Sequence, residues 1–148
     1  MNIDAKAREI ASSCACFKLR KASRAITQYY DAALEPCSIK VTQFTLLVAL
    51  ALAGPVPVGV LAEELVLDRT TLTRNVALLM RDGLAEMVPG QDKRVKLLQL
   101  SVRGRVLLAR AIPLWQEAQT SIVARFGKNN WRDISQKLAA ITFLALLP

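Results

Sequence analysis

Apolar residues recur at helical spacing along most of this chain, and the places where the rhythm breaks divide it into elements. From Ile3 to Leu34, residues Ile10, Cys14, Phe17, Leu19, Ala22, Ile26, Tyr30 and Ala33 fall on one helical face, with Lys18, Lys21 and Arg24 elsewhere. The spacing predicts one long amphipathic helix, ended by Pro36. Thr42 is the expected N-cap of an apolar helix running to about Ala53, and Gly54-Pro55-Val56-Pro57 stops it. The uncharged run Phe44 to Ala62 raises the question of a membrane span, but that break leaves only about 12 helical residues, so a buried helix and a loop are expected.

Between Val58 and Gly104 the rhythm changes repeatedly. A short helix, Val58 to Leu65, with Val60, Leu61 and Leu65 inward, leads through Val66 and Leu67 to Asp68. Asp68 sits where an N-cap belongs, able to accept from the amides of Thr70 or Thr71. The next helix, Arg69 to about Asp82, buries Leu72, Val76, Leu79 and Met80 and turns Arg69, Thr70, Thr73, Arg74 and Asn75 outward. Gly83 stops it. Leu84 to Val88 and Val95 to Leu100 have strand-forming residues, and the turn chemistry of Pro89 to Arg94 joins them into a hairpin with a basic tip. Ser101 caps a helix reaching about Phe126, kinked at Pro113, and a last helix spans Trp131 to Leu147. The fold class is therefore mainly α with a small β-hairpin.

No repeat, low-complexity tract or linker divides the chain, and 148 residues suit one domain. Three long apolar helices at the two ends are more than a lone small domain can bury. A homodimer built through residues 1–40 and 105–148 is expected, with 42–104 as a separate DNA-binding lobe.

Charge adds a partner. The formal net charge is +8, and between Arg69 and Arg110 nine basic residues stand against Asp82, Glu86 and Asp92. That concentration suits a polyanion. In a helix-turn-helix the second helix enters the major groove, which places Arg69, Thr70, Thr71 and Arg74 nearest bases and phosphates. Lys93 and Arg94 at the hairpin tip suit the minor groove, with Asp92 expected to hold the Arg94 guanidinium. Catalysis has little support: there is no His, no Gly-rich phosphate loop and no recognisable carboxylate pair. No cofactor is expected. An odd count of three cysteines and a charged N-terminus without an apolar core point to a reduced, cytoplasmic chain with no membrane partner.

The run LAEELVLDRTTLTRNVALLMRDGLAEMVPGQDKRVKLLQLSVRG resembles the winged helix-turn-helix of the MarR family of bacterial transcription regulators, with Asp92 and Arg94 matching its D-x-R wing signature. The resemblance implies a homodimer on a pseudo-palindromic operator in double-stranded DNA, usually a repressor released by a small ligand or by oxidation. It gives the recognition role to Arg69 to Asn75 and the minor-groove role to Arg94. The stretch CFKLRKASRAITQYYDAALEP is similar to the first helix of the organic-hydroperoxide-sensing branch, aligning Cys16 with the reactive cysteine and Tyr30 with a tyrosine partner. A second tyrosine of that branch falls at Arg20 here.

Other inputs stay open at this level. Cys14 and Cys16, with Cys37, are alternative soft-metal ligands, although residues two apart diverge by about 200° on a helix; buried, inert cysteines are a third reading. Tyr29, Tyr30, Phe44, Trp115 and Met80 are candidates to line a cavity for a small aromatic effector. A non-specific architectural DNA-binding protein is the alternative function.

Overall fold

The computed structural model describes residues 1–145. Seven helices and one hairpin follow in the order α1 (Ile3–Ser13), α2 (Ala15–Leu34), a 3-10 turn (Glu35–Cys37), α3 (Val41–Ala53), α4 (Val58–Glu64), α5 (Arg69–Arg81), β1 (Ala85–Pro89), β2 (Lys96–Leu100), α6 (Val102–Phe126) and α7 (Lys128–Ala145). Of the expected last helix, positions 146 and 147 lie outside the described residues.

The core sits where α3, α4, α5, the hairpin and the first half of α6 meet. Leu34, Leu47, Leu50, Leu61, Leu72, Leu79 and Leu98 are sealed there, each contributing roughly 1.5–3 kcal/mol by leaving water. A smaller cluster of Tyr30, Ala118 and Ile122 packs α2 on α6, and Trp115 touches both clusters. The apolar run that raised the membrane question supplies the main core with Phe44, Leu46, Leu47, Ala49 and Leu50. Among the described residues no single helix is long and apolar enough to cross a membrane.

Several expectations need correction. The first helix is two helices, broken at Cys14, whose backbone is extended (φ −63°, ψ 117°). Ser12 and Ser13 donate their hydroxyls to the Glu9 carbonyl at 2.9 and 2.7 Å, a competing bond that weakens the helical ladder there. Helix α3 begins at Val41, so Thr42 is not its cap. Its first amide, that of Val41, instead donates to Asp31 Oδ1 of α2 at 2.7 Å, and Lys40 Nζ lies 3.4 Å from Asp31 Oδ2. Val60 and Met80, expected inside, are 51% and 41% exposed. Helix α6 is continuous across Pro113, which lies in its interior as expected, whereas α7 starts three residues earlier than expected, at Lys128.

One pairing had no counterpart in the sequence reading. Val56, between Pro55 and Pro57, exchanges both backbone hydrogen bonds with Leu98 at 2.9 and 2.8 Å. Flanking prolines lack the amides to extend it, so this third edge of the wing is one residue long.

Candidate nucleic-acid interface

The recognition helix is set by its two ends. After α4, Val66 adopts φ 52°, a left-handed conformation costly for a β-branched side chain. The neighbouring turn is held by the Leu67 amide donating to the Ala62 carbonyl at 2.9 Å. Asp68 then caps α5 as its position predicts: Oδ1 accepts from the Thr71 amide at 2.8 Å and Oδ2 from the Thr71 hydroxyl at 2.5 Å. These bonds, the hydroxyl's foremost, hold the Asp68 carboxyl below its ordinary pKa. At the other end Gly83 (φ 69°) lets the Leu84 amide turn back to the Leu79 carbonyl at 2.8 Å.

Between those ends, Leu72, Val76 and Leu79 are buried and fix the rotation of α5. Arg69, Thr70, Thr71, Thr73 and Arg74 are exposed and Asn75 is half-buried. Two hydroxyls are already engaged. That of Thr71 serves the cap, and that of Thr73 donates to the Arg69 carbonyl at 2.7 Å, which leaves Arg69, Thr70 and Arg74 as the groups free to donate from this face. The Arg69 guanidinium folds back over Gly59 of α4, its Nη2 only 3.1 Å from where a Cβ on that glycine would stand. Gly59 was not singled out in the sequence; only its closeness to Arg69 across the turn marks it.

The strands pair antiparallel in the register Ala85↔Leu100 to Pro89↔Lys96. At the tip the Gly90 amide donates to the Val95 carbonyl at 2.8 Å and the Val95 amide to the Asp92 carbonyl at 2.9 Å. Asp92, Lys93 and Arg94 are exposed. Here the expected charge-assisted bond is replaced: Asp92 Oδ1 accepts from the backbone amide of Arg94 at 3.0 Å, and the two side chains form no ion pair. A short loop presents that amide before the long side chain can bend back.

Ser101 welds wing to helices. Its Oγ accepts from the Gly104 amide at 2.9 Å and donates to the Gly83 carbonyl at 2.6 Å. A Cβ on Gly104 would stand 2.0 Å from the Leu84 carbonyl oxygen, so α6 reaches the hairpin only because that position is glycine. Of the nine basic residues from Arg69 to Arg110, only Arg81 is in an ion pair among the described residues, with Asp82 at 3.0 Å. The positive charge of this lobe is largely uncompensated.

The candidate input residues are dispersed. Cys14 is half-buried and caps α2, its Sγ accepting from the Phe17 amide at 3.5 Å. Cys16 is exposed and Cys37 buried, so the inert-core reading fits Cys37 alone. Tyr30 is buried, which pushes its phenol pKa up, with the neighbouring Tyr29 adding to the shift. Its hydroxyl is hydrogen-bonded to Gln119 Oε1. Along α2 Cys16 and Tyr30 are roughly 21 Å apart at ~1.5 Å per residue, so they do not meet within one chain. Among the described residues no three His, Cys, Asp or Glu side chains are gathered to hold a metal ion. Phe44 and Trp115, stacked with centroids 6.1 Å apart, line an apolar crevice of about 380 Å³ with Val41, Val48 and Ile112. Tyr30 lines an adjoining cavity across Trp115, whereas Tyr29 borders another and Met80 is out on α5.

A helix, a left-handed turn, a capped second helix and a hairpin wing, carried between long terminal helices, define a winged helix-turn-helix transcription regulator. Comparison with known proteins agrees. The model of the MarR family matches residues 38–94. The transcriptional regulator MosR of M. tuberculosis is 34% identical, with 91% of this chain and 97% of that one covered at a TM-score of 0.79. MosR in complex with DNA is 36% identical over 91% and 100% of the two chains at 0.77. A mutant of E. coli MarR complexed with operator DNA shares the fold, at 20% identity, 89% and 96% coverage and a TM-score of 0.80. No curated protein matches the chain. The chain belongs to the MarR family.

Proposed function

We propose that this regulator works as a homodimer that represses by binding a pseudo-palindromic operator in double-stranded DNA. The observation that carries the reading is the joint exposure of Arg69, Thr70 and Arg74 on a capped helix and of Lys93 and Arg94 on a wing welded to it. The helix enters the major groove, with Arg69, Thr70 and Arg74 meeting bases and phosphates, Thr73 offering its methyl and Asn75 bordering them; the wing carries Arg94 to the minor groove. The DNA complex of MosR supports this use of the fold. Two unpartnered apolar faces support the dimer: Ile3, Ile10 and Phe17 on α1 and α2, and Leu138, Ile141, Phe143 and Leu144 on α7 are exposed.

For release, thiol oxidation at Cys16 is the favoured input, because that cysteine is exposed and lies two residues after the break at Cys14, in the first turn of α2. A small aromatic effector in the crevice of Phe44 and Trp115 is the second reading, favoured by the apolar lining at the junction of α3 and α6. A soft-metal site has less support, since Cys37 is buried at the far end of α2.

Competition binding tests the function. The dimer is expected to prefer the promoter region beside its own gene over random duplex by several orders of magnitude at moderate salt. Equal affinity for the two would leave the non-specific architectural reading instead.

A further inference from the structure

We propose that Gly59 of α4 is a positioning residue for DNA binding: its bare backbone seats the Arg69 guanidinium and commits that arginine to a backbone phosphate, leaving the bases to Thr70 and Arg74. The proposal rests on the role given above to α5.

The exposed groups of α5 do not point the same way. At about 100° per residue, Arg74 stands about 165° and Thr70 about 155° from the mean direction of the buried Leu72, Val76 and Leu79, so both face straight away from the core. Arg69 is only about 55° from that direction, on the flank turned toward α4. There the three atoms nearest to a Cβ built on Gly59 all belong to its guanidinium: Nη2 at 3.1 Å, Cζ at 3.9 Å and Nε at 4.0 Å. The contact leaves Gly59 half-buried, although Arg69 itself stays exposed.

Backbone conformation does not call for glycine at this position. Gly59 is the second residue of α4 and is not among the residues of positive φ, and inside a helix glycine is less stable than alanine. What its missing side chain provides is room for the arginine. The guanidinium is in no ion pair among the described residues, so it is held by contact while its charge stays available. In a docked helix-turn-helix the second helix lies in the groove and the first crosses the sugar-phosphate backbone. A guanidinium seated on the first helix is therefore presented to a phosphate, whose oxygens match its planar fork. Phosphate contacts fix register and affinity, and base contacts fix sequence.

Fluorescence anisotropy with a duplex from the promoter region beside the gene, each base pair substituted in turn, tests the division of roles. Arg69→Ala should weaken binding roughly tenfold on every duplex alike and reduce the salt slope by about 1, whereas Arg74→Ala should relax preference at particular base pairs. Gly59→Leu, which fills the seat, should lose several-fold in affinity with a melting temperature no lower than the parent's, and Gly59→Ala should lose less. The double variant Gly59→Leu/Arg69→Ala should bind no worse than Arg69→Ala alone, because both changes remove one contact. Relaxed preference at a single base pair in Arg69→Ala, parent-like affinity in Gly59→Leu, or additive losses in the double variant would each overturn the proposal. A phosphate contact is blind to sequence, so the same losses are expected on random duplex. A parent that does not prefer the promoter would therefore end the operator reading and leave the Gly59 test in force.

Discussion

Asp92 grips the backbone of Arg94, its Oδ1 accepting the amide N–H at 3.0 Å, and leaves the guanidinium alone. The wing tip is therefore shaped by the carboxylate while the arginine remains free to reach. Arg94→Ala should lower operator affinity by roughly tenfold, reduce the dependence of binding on salt, and leave the dimer intact. Asp92→Asn, which keeps the acceptor, should bind nearly as the parent does, whereas Asp92→Ala should weaken binding through a loosened tip. Fluorescence anisotropy across a salt series measures all three. If Asp92→Asn lost as much affinity as Arg94→Ala, a side-chain ion pair in the complex would be the better account.

The Asp68 cap gives the recognition helix an acid limit. Its carboxyl is held below the ordinary value by the Thr71 hydroxyl and amide. A depressed folded pKa contributes stability that is present above the unfolded value and lost as pH falls through the folded one. Thermal melts should therefore show an acid loss below the usual aspartate range that is reduced in Asp68→Asn, which keeps an acceptor without titrating. Asp68→Ala should lower Tm by roughly a few degrees at neutral pH. An acid profile identical in parent and Asp68→Asn would remove the cap from this role.

Cys16→Ser should abolish hydroperoxide-induced release from operator DNA, and Cys37→Ser should not, since Cys37 is shielded and Cys16 is open to solvent. Mobility shift with and without cumene hydroperoxide decides. A parent protein that stays bound under oxidant ends the redox reading and leaves the crevice ligand.

Gly104→Ala should cost at least about 3 kcal/mol, because its Cβ would meet a backbone oxygen, which cannot rotate away. Urea denaturation of the purified variant, or its failure to accumulate in soluble form, reads this out. An unfolding midpoint near that of the parent would mean that α6 shifts to make room.

What the sequence disclosed follows range of interaction. The Leu72–Val76–Leu79 face of α5, the Asp68 cap and the Gly83 stop were legible because each is fixed by residues within about four positions, and the hairpin because strand-forming residues flank a turn rich in Pro, Gly and Asp. The break at Cys14 escaped because one extended residue interrupts a helix without erasing apolar periodicity on either side. Val60 and Met80 are apolar residues that local periodicity assigned to the interior, and only tertiary packing leaves them in solvent. The Val56–Leu98 bridge, the Asp31 cap on α3 and the Arg69–Gly59 contact join residues 42, 10 and 10 positions apart, and no spacing rule reaches them. The exchange at Asp92 was missed for a different reason: composition shows which charges are neighbours but not whether a nearer amide will claim the carboxylate.

The glycine contact between α6 and the Leu84 carbonyl has a mechanical consequence. Helix α6 is 25 residues long, a rod of about 37 Å at ~1.5 Å per residue. A rod clamped at one end turns small angles into large strokes: a tilt of about 5° pivoting at its C-terminal end sweeps the clamped end by roughly 3 Å, close to the 3.4 Å rise of one base pair. Without side-chain padding at Gly104 there is little slack to absorb that stroke, so wing and rod travel together. In the homodimer proposed above, two such levers would need no unfolding, only a few degrees of rotation, to carry both heads out of step with the duplex.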